Sequence, residues 1–523
     1  MAVGPTVRHP HLILSLQWYE CRHHLSHLPA LLAAFRASKR EVTKAMKEAV
    51  VLYPLPAIGH LVSMVELAKL FLLHDFSVTV VLMDAPISHP SIDSVVARVS
   101  SAYPSISFHR LPPVSSVPDP EPSFIVRFFD VVRLNNPQFL HFVAAHSQTY
   151  DVRAVVLDFF CSDADVTAEL RLPSYFFWSS GAAALALFLY IPTLHFATHL
   201  SFKDLDDAPL HVPGLPPVSA SHMPHDVMDR NTESYKRLFL VSERGPNADG
   251  LLINTFESME VQAVRALRDG SFIPGRRMPP VYCIGPLVAD WGGDDRGVKE
   301  EKAECVAWLD AQPRGSVVFL CFGSMGTFRA EQFMEIASGL ERSGQRFLWV
   351  VRAPESEGEE HQASEPLTEP DLETLLPEGF LERTKQRGLV VKSWAPQVEV
   401  LNHRAVGGFV THCGWNSVME AIMAGVAMVA WPLYAEQKLN KVFLVEQMRL
   451  AVAMEGYDKE LVAAEEVEAK IRWLMESEGG QELRARAAAM KERAVEATRE
   501  GGSSQRAWLE VVKSLRLLHG ING

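Results

Sequence analysis

The chain reads as α/β, two successive domains that each carry a doubly wound parallel sheet. Two observations predict it. From Ala49 onward, short apolar runs alternate with stretches of helical spacing, as expected of buried parallel strands joined by crossover helices. Near Ser316 the pattern restarts, again as strand, Gly-containing loop and helix. At about 150 residues per domain, 523 residues allow two to four domains.

Each element follows from its local pattern. Ala49 to Tyr53 is a short apolar run, read as a buried strand, and the loop Pro54 to Gly59 follows it. His60 to Leu73 then places Leu61, Met64, Val65, Ala68 and Leu72 on one helical face. Phe76 to Met83 and Ala154 to Phe159 are further strands, with a helix expected around Asp163 to Leu170. Ser180 to Tyr190 is apolar but too short to span a bilayer, and is read as a buried helix beside a pocket. In the second half Ser316 to Cys321 is a strand, Phe322 to Gly326 its loop and Glu331 to Leu340 a helix. Arg346 to Val351, Gly388 to Val391, Gly407 to Thr411 and Ala427 to Trp431 complete the strands. The expected division is 1–45 as an extension, 46–285 as a first domain, 286–300 as a linker and 301–523 as a second domain. Residues 1–45 are rich in His and Arg and hold almost no acid before Glu41. They read as an extension or as a start assigned upstream of Met46, with a transit peptide as the alternative. The acidic stretch Pro354 to Pro370 reads as a surface loop.

Composition narrows the function. Apolar residues make up 48% and charged residues 22%, enough for a sizeable core. The net charge of −13 and the lack of a basic cluster argue against a nucleic-acid partner. A nucleotide is still allowed, because helix N-termini hold phosphate without net positive charge. None of the six cysteines forms a CxxC pair. Buried free thiols fit a reducing compartment, the cytoplasm, better than a disulfide framework.

The strongest local signal runs from Gly407 to Glu420. An apolar strand ends at His412, Gly414 permits a tight turn, and a helix opens at Ser417. A helix N-terminus offers unpaired N–H groups and partial positive charge, an anion site that needs no lysine. Asn416, Ser417 and His412 add side-chain donors; the plain alternative is that Asn416 or Ser417 only caps the helix. Trp394, at the end of another strand, stacks on a flat base or is a core residue. Glu420 accepts from a ribose or merely complements the helix dipole. Glu436 beside Gln437 places a carboxylate next to an amide, suited to sugar hydroxyls that both donate and accept.

The run Trp394 to Gln437 resembles the signature box of plant family 1 UDP-glycosyltransferases. So do "VVLYPLPAIGHLVSMVELAKL", "LLINTFESME" and "CVAWLDAQPRGSVVFLCFGSMG". The likeness covers about Met46 to the C-terminus and is closest to members that glucosylate flavonoids and other phenols. It implies the GT-B fold, two facing Rossmann-like domains with a cleft between them and the donor on the second. Carried over by position, it implies that Trp394 stacks on uracil, that the Ala395 backbone holds its edge, and that Gln397 and Glu420 hold the ribose. It gives the diphosphate to Ser324, His412, Asn416 and Ser417, with Gly414 at the turn and Tyr434 nearby. It turns Trp415, Glu436 and Gln437 to the sugar, and Gln437 favours glucose over galactose. Two positions depart from the family: Ala427 stands where Pro is usual, and Glu436 where Asp is common.

The resemblance also implies the catalytic pair. Transfer needs a base for the acceptor hydroxyl, and His suits neutral pH. His60 opens the first helix, whose N-terminus is expected to keep the imidazole neutral. Asp158 matches the family's partner aspartate and is expected to fix the tautomer. A single displacement with inversion, UDP-glucose as co-substrate, no cofactor and no metal follows from the likeness. The run Tyr175 to Tyr190, otherwise ordinary core, and the loop Leu55 to Ile58 are expected to line an apolar pocket for a small hydroxylated acceptor, phenolic or alternatively terpenoid, with another sugar donor as the alternative to glucose, no membrane insertion and no obligate protein partner. A dinucleotide oxidoreductase is the rival, but Pro54 to His60 lacks GxGxxG. A nonenzymatic sugar-nucleotide binder is the other, and would be expected to lose His60 or Asp158.

Overall fold

The computed structural model describes residues 46–86, 90–114, 123–162, 169–289, 303–354 and 369–517. The 1–45 extension, the linker from residue 290, most of the helix expected around Asp163, and residues 355–368 of the acidic stretch lie outside the described residues.

The first sheet contains β1 (Glu48–Tyr53), β2 (Ser77–Leu82), β3 (Ile106–Arg110), β4 (Asp151–Asp158), β5 (Ser174–Trp178), β8 (Gly250–Ile253) and β9 (Val281–Cys283). A small antiparallel pair, β6 (Pro209–Leu210) and β7 (Val218–Ser219), stands apart from it. The sheet order is β3-β2-β1-β4-β5-β8-β9, and every neighbouring pair is parallel. The second sheet contains β10 (Val317–Cys321), β11 (Arg346–Val351), β12 (Gly388–Lys392), β13 (Val406–Thr411), β14 (Met428–Ala430) and β15 (Ala451–Ala453). Its order is β12-β11-β10-β13-β14-β15, also all parallel. The two orders repeat one plan. In each, the strand order reverses beside the founding strand, between β1 and β4 and between β10 and β13. Loops part at such a switch and leave a crevice at the carboxyl ends of the strands.

Strand alternation places the cores. Along β1, Val50 and Leu52 pack to one side with Phe71, Trp508 and Val511, while Ala49, Val51 and Tyr53 pack to the other. Along β10, Val318 and Leu320 turn to an outer core with Phe333 and Trp349. Val317, Phe319 and Cys321 turn inward. The inward sides of both sheets belong to one apolar cluster, which also holds Trp178, Trp415 and Val418. Burial therefore fastens the halves together as well as filling each. The last helix, Ser503–Leu517, leaves the second half and packs on the first sheet. Tyr175 hydroxyl meets Ser514 Oγ at 2.7 Å, and Arg516 Nε donates to Glu48 at 3.1 Å.

Two expectations change. The helix expected from Ser417 begins at Trp415. The aromatic run before Ser180 is strand β5, so its side chains alternate: Tyr175 and Phe177 face the layer with the last helix, Phe176 and Trp178 the other. Only one face of that run is available to a pocket. The five described cysteines are free and buried. Among the described residues, no helix is long and apolar enough to cross a membrane, and no group of three His, Cys, Asp or Glu is placed to hold a metal ion.

Candidate active site

The switch between β1 and β4 builds the first half of the site. β1 ends at Tyr53, a short loop follows, and His60 is the third residue of the helix Ile58–Leu72. Asp158 is the last residue of β4. Because β1 and β4 are neighbours, residues 98 apart in sequence meet: His60 Nδ1 lies 2.7 Å from Asp158 Oδ2. The Asp158 side chain is 1% exposed and that of His60 24%. Asp158 Oδ1 accepts from the Phe160 N–H at 3.0 Å, which fixes the carboxylate plane. With Nδ1 on Asp158, Nε2 is left as the proton acceptor. Burial pulls the imidazole pKa down, but the carboxylates of Asp158 and Glu436 outweigh it, and His60 is raised above its ordinary value.

Beside His60 stands an aromatic wall. The Phe160 ring is 5.9 Å from the imidazole, and Trp178 and Phe188 lie 5.6 and 6.0 Å from Phe160. Leu55, in the preceding loop, is buried in the same layer.

The switch between β10 and β13 builds the second half. His412 follows β13 and is 5% exposed; burial lowers its pKa to about 4, so the ring is neutral. Its Nδ1 has no hydrogen-bond partner among the described residues. Its Nε2 faces the gap between Gly323 and Gly414, where an added Cβ would stand 2.5 or 2.4 Å from it. Gly323, with φ +78°, bends the loop after β10 and carries half-buried Ser324 past this ring. Gly414 is the N-cap of the helix Trp415–Ala424, which has no side-chain cap and no acid in its first turn. Among the described residues no side chain caps its first N–H groups, so neither Asn416 nor Ser417 serves as a cap here.

Those two side chains and Trp415 do other work. Asn416 Nδ2 donates to the Gly59 carbonyl at 2.9 Å, and its Oδ1 accepts from Ser63 at 2.9 Å. Trp415 is 4% exposed, its indole N–H donates to the Asn254 carbonyl at 2.7 Å, and its ring lies against Gly181, where no Cβ would fit. Both turn toward the first half instead of an open cleft. Ser417 Oγ accepts from Gln397 Nε2 at 2.8 Å, and Glu420 accepts from the same nitrogen at 2.6 Å. Burial raises Glu420 to about 7, and the Gln397 bond pulls the other way. Trp394 follows Ser393, whose φ is +61°, and is 60% exposed, an open platform; Ala395 beside it is buried. Tyr434 is raised by burial to about 12 and remains a neutral phenol. Gln437 is 2% exposed, with its oxygen taking the N–H groups of Leu433 and Tyr434. Glu436 accepts from Ser180 Oγ at 3.0 Å.

The sequence reading missed several residues that touch this machinery. Ser179 Oγ lies 3.4 Å from His60 Nδ1. Glu260, 1% exposed, takes the N–H groups of Ala182 and Ala183 and the Thr255 hydroxyl, and so caps the helix Ala182–Ala197. Arg352, just past β11, donates to the Ser393 carbonyl at 3.3 Å and braces the Trp394 loop. The serine pair between an apolar strand and an apolar helix was the visible signal for the first, and Glu260 closes the quoted run LLINTFESME, though its role was not read; Arg352 had no signal.

An imidazole held by a carboxylate can act as a base, and a helix N-terminus without a side-chain cap can take an anion. The family model for UDP-glucoronosyl and UDP-glucosyl transferase matches residues 282–483. An anthocyanidin 5,3-O-glucosyltransferase of Rosa hybrid cultivar is 45% identical over 471 residues, 87% of this chain and 96% of that protein. A phloretin 2'-O-glucosyltransferase of Malus domestica is 45% identical over 483 residues, 90% of this chain and 100% of that protein. Among solved structures, a Polygonum tinctorium UDP-glucosyltransferase capable of glucosylating indoxyl superposes with TM-score 0.80 at 36% identity, covering 91% of this chain and 100% of that one. Phytolacca americana UGT2, complexed with UDP-2fluoro-glucose and pterostilbene, gives 0.79 at 33%, covering 90% and 100%. With two facing parallel sheets of GT-B type and relatives of this identity along nearly their whole length, the chain belongs to the UDP-glycosyltransferase family.

Proposed function

We propose that the protein transfers glucose from UDP-glucose, with inversion, to a hydroxyl of a small phenolic acceptor of flavonoid type. The observation that carries this is the His60–Asp158 pair, 2.7 Å apart at one switch point and facing an uncapped helix N-terminus at the other. In this reading residues 46–285 hold the acceptor and residues 301–523 the donor. His60 Nε2 takes the acceptor hydroxyl proton as the oxygen attacks the anomeric carbon. The bond from that carbon to the diphosphate oxygen breaks, and UDP leaves with the electron pair. Asp158 stabilises the imidazolium. The first N–H groups of the Trp415 helix, with His412 and Ser324, receive the charge developing on the diphosphate. Trp394 stacks on uracil, the Ala395 backbone meets its edge, and Gln397 and Glu420 hold the ribose. Glu436 meets the sugar. For Trp415, Asn416 and Gln437 the roles narrow: their side chains are engaged in the protein, so the first two serve through the backbone N–H groups they place, and Gln437 by shaping the loop Leu433 to Glu436.

Relatives that are glucosyltransferases of anthocyanidin and phloretin, and a neighbour that binds pterostilbene, support a flat phenolic acceptor. So does the wall of Phe160, Trp178 and Phe188 beside His60. Buried free thiols support the cytoplasm as the compartment. The test is mass spectrometry of a reaction with UDP-glucose and a panel of phenols, beside His60→Ala. A hexose mass gain that vanishes in the variant is expected. A gain that survives in the variant overturns His60 as base; no gain from any UDP-sugar overturns the reading of the reaction.

A further inference from the structure

Glu436 stands where the family commonly has Asp, and the structure gives the extra methylene something to reach. Its Oε1 accepts from Ser180 Oγ of the first half at 3.0 Å and from Asn440 Nδ2 of its own helix at 3.4 Å. The side-chain hydrogen bonds to it among the described residues fall on Oε1, so Oε2 points to no protein donor. Shortening the side chain by one carbon–carbon bond, about 1.5 Å, would take the carboxylate out of reach of Ser180.

Both ends of this contact are rigid. Ser180 is 7% exposed. The next residue, Gly181, is pressed against the Trp415 ring, and its carbonyl accepts from the Trp178 indole at 2.9 Å. The two residues after that are gripped by Glu260. On the other side, Asn440 Nδ2 also holds the Cys413 carbonyl at 3.0 Å, one residue before the N-cap of the Trp415 helix. One line of hydrogen bonds therefore runs from the anion-binding turn through Asn440 and Glu436 to the acceptor half.

We propose that Ser180 is a positioning residue for the donor sugar: it bridges the cleft to Glu436 Oε1 and thereby aims Oε2 at a sugar hydroxyl only when the two halves are closed. This rests on the reading of Glu436 as a sugar ligand. Ser180 touches no substrate in this scheme. It holds a carboxylate that otherwise swings among rotamers, and the sugar subsite is completed by a hydroxyl from the opposite half.

The test measures kcat and KM for UDP-glucose, and Kd for UDP by calorimetry, in the wild type, Ser180→Ala, Ser180→Thr, Glu436→Asp and the Ser180→Ala/Glu436→Asp double variant. Each of Ser180→Ala and Glu436→Asp is expected to lower kcat/KM for UDP-glucose about tenfold, the size of one hydrogen bond to a charged group. The UDP Kd stays within about twofold, because UDP lacks the sugar, and Ser180→Thr recovers most of the loss. The double variant falls about as far as either single one, since both break the same bond. An unchanged kcat/KM in Ser180→Ala overturns the proposal, as does a double variant that falls about a hundredfold, or a UDP Kd that weakens in parallel. If the wild type transfers sugar from no UDP-sugar, the reading of the reaction fails, and the bridge fails with it as a sugar device; that case is distinct because the wild type itself is inert.

Discussion

Asp158→Asn tests the catalytic pair most sharply, because the structure dictates how the new amide must sit. Asp158 Oδ1 is tied to the Phe160 N–H at 3.0 Å, and Oδ2 faces His60 Nδ1 at 2.7 Å. In the variant, the atom facing Phe160 N–H must remain an acceptor, so the amide oxygen stays there. The NH2 group then points at His60 Nδ1. A donor at that position requires a lone pair on Nδ1, and the imidazole proton moves to Nε2. Nε2 is where the acceptor hydroxyl must deliver its proton, so the base is blocked as well as deprived of its counter-charge. General-base assistance is worth about 10² to 10⁴ in rate, and kcat is expected to fall by that much. Asp158→Ala loses the charge but leaves the tautomer free, so it is expected to retain more activity than Asp158→Asn. Steady-state glucosylation of one phenol, with UDP Kd as a control on the fold, measures both. If Asp158→Asn keeps more than a tenth of wild-type kcat, or outperforms Asp158→Ala, the tautomer argument is wrong.

Three further outcomes follow from the donor half and one from the cleft. Trp394 is 60% exposed and packs on little protein, so Trp394→Ala should leave the melting temperature nearly unchanged while weakening UDP and uridine alike, by about 1–3 kcal/mol of stacking measured calorimetrically. Burial raises Glu420 to about 7; the ionised carboxylate accepts from ribose hydroxyls through both oxygens and with the strength of a charged acceptor, which protonation takes away, so uridine affinity should fall as pH drops below about 7, and Glu420→Gln should flatten that dependence. In Gly323→Ala a residue at φ +78° would carry a Cβ 2.5 Å from His412 Nε2, and a loss of about 1–3 kcal/mol in stability together with weaker UDP binding is expected by thermal melting and calorimetry. Glu436 helps to raise the His60 pKa; a base must be neutral, so activity rises with pH through that value, and Glu436→Gln should move the acid limb of kcat/KM to lower pH.

The parts of the fold legible in the sequence are those whose signal is local. β1, β10 and β11 are uninterrupted apolar runs bounded by polar or turn residues, and their positions agree with the expectation to within a residue or so. β3 was not read, because Ile106–Arg110 is mostly exposed and lacks an apolar run. The Trp415 helix was started two residues late, because Asn416 and Ser417 look like caps when nothing tells the reader that Asn416 has a partner 357 residues away in Gly59. The same blindness explains Trp415. An aromatic at a helix start looks ligand-facing until Gly181 and Asn254 are brought beneath it by the other sheet. His60 and Asp158 entered through family likeness; their meeting depends on the pairing of β1 with β4, which periodicity alone does not fix.

The side chains of Trp415 and Asn416, engaged within the protein, bear on how the proposed donor site is held in place. An uncapped helix N-terminus binds an anion well only if it cannot turn away or fray, and the Trp415 helix is ten residues long with no side-chain cap of its own. Its first two side chains are anchored instead on the opposite half, Trp415 to the Asn254 carbonyl and Asn416 to the Gly59 carbonyl, one residue before His60. The proposed base and the proposed diphosphate site are therefore joined through Gly59 on one side and Asn416 on the other. A displacement of one half relative to the other would break both hydrogen bonds, one donated by buried Trp415 and one by half-buried Asn416. Placing capping-type residues at the interface leaves the helix without a side-chain cap, as the proposed diphosphate role requires, and ties its start to the residue before His60.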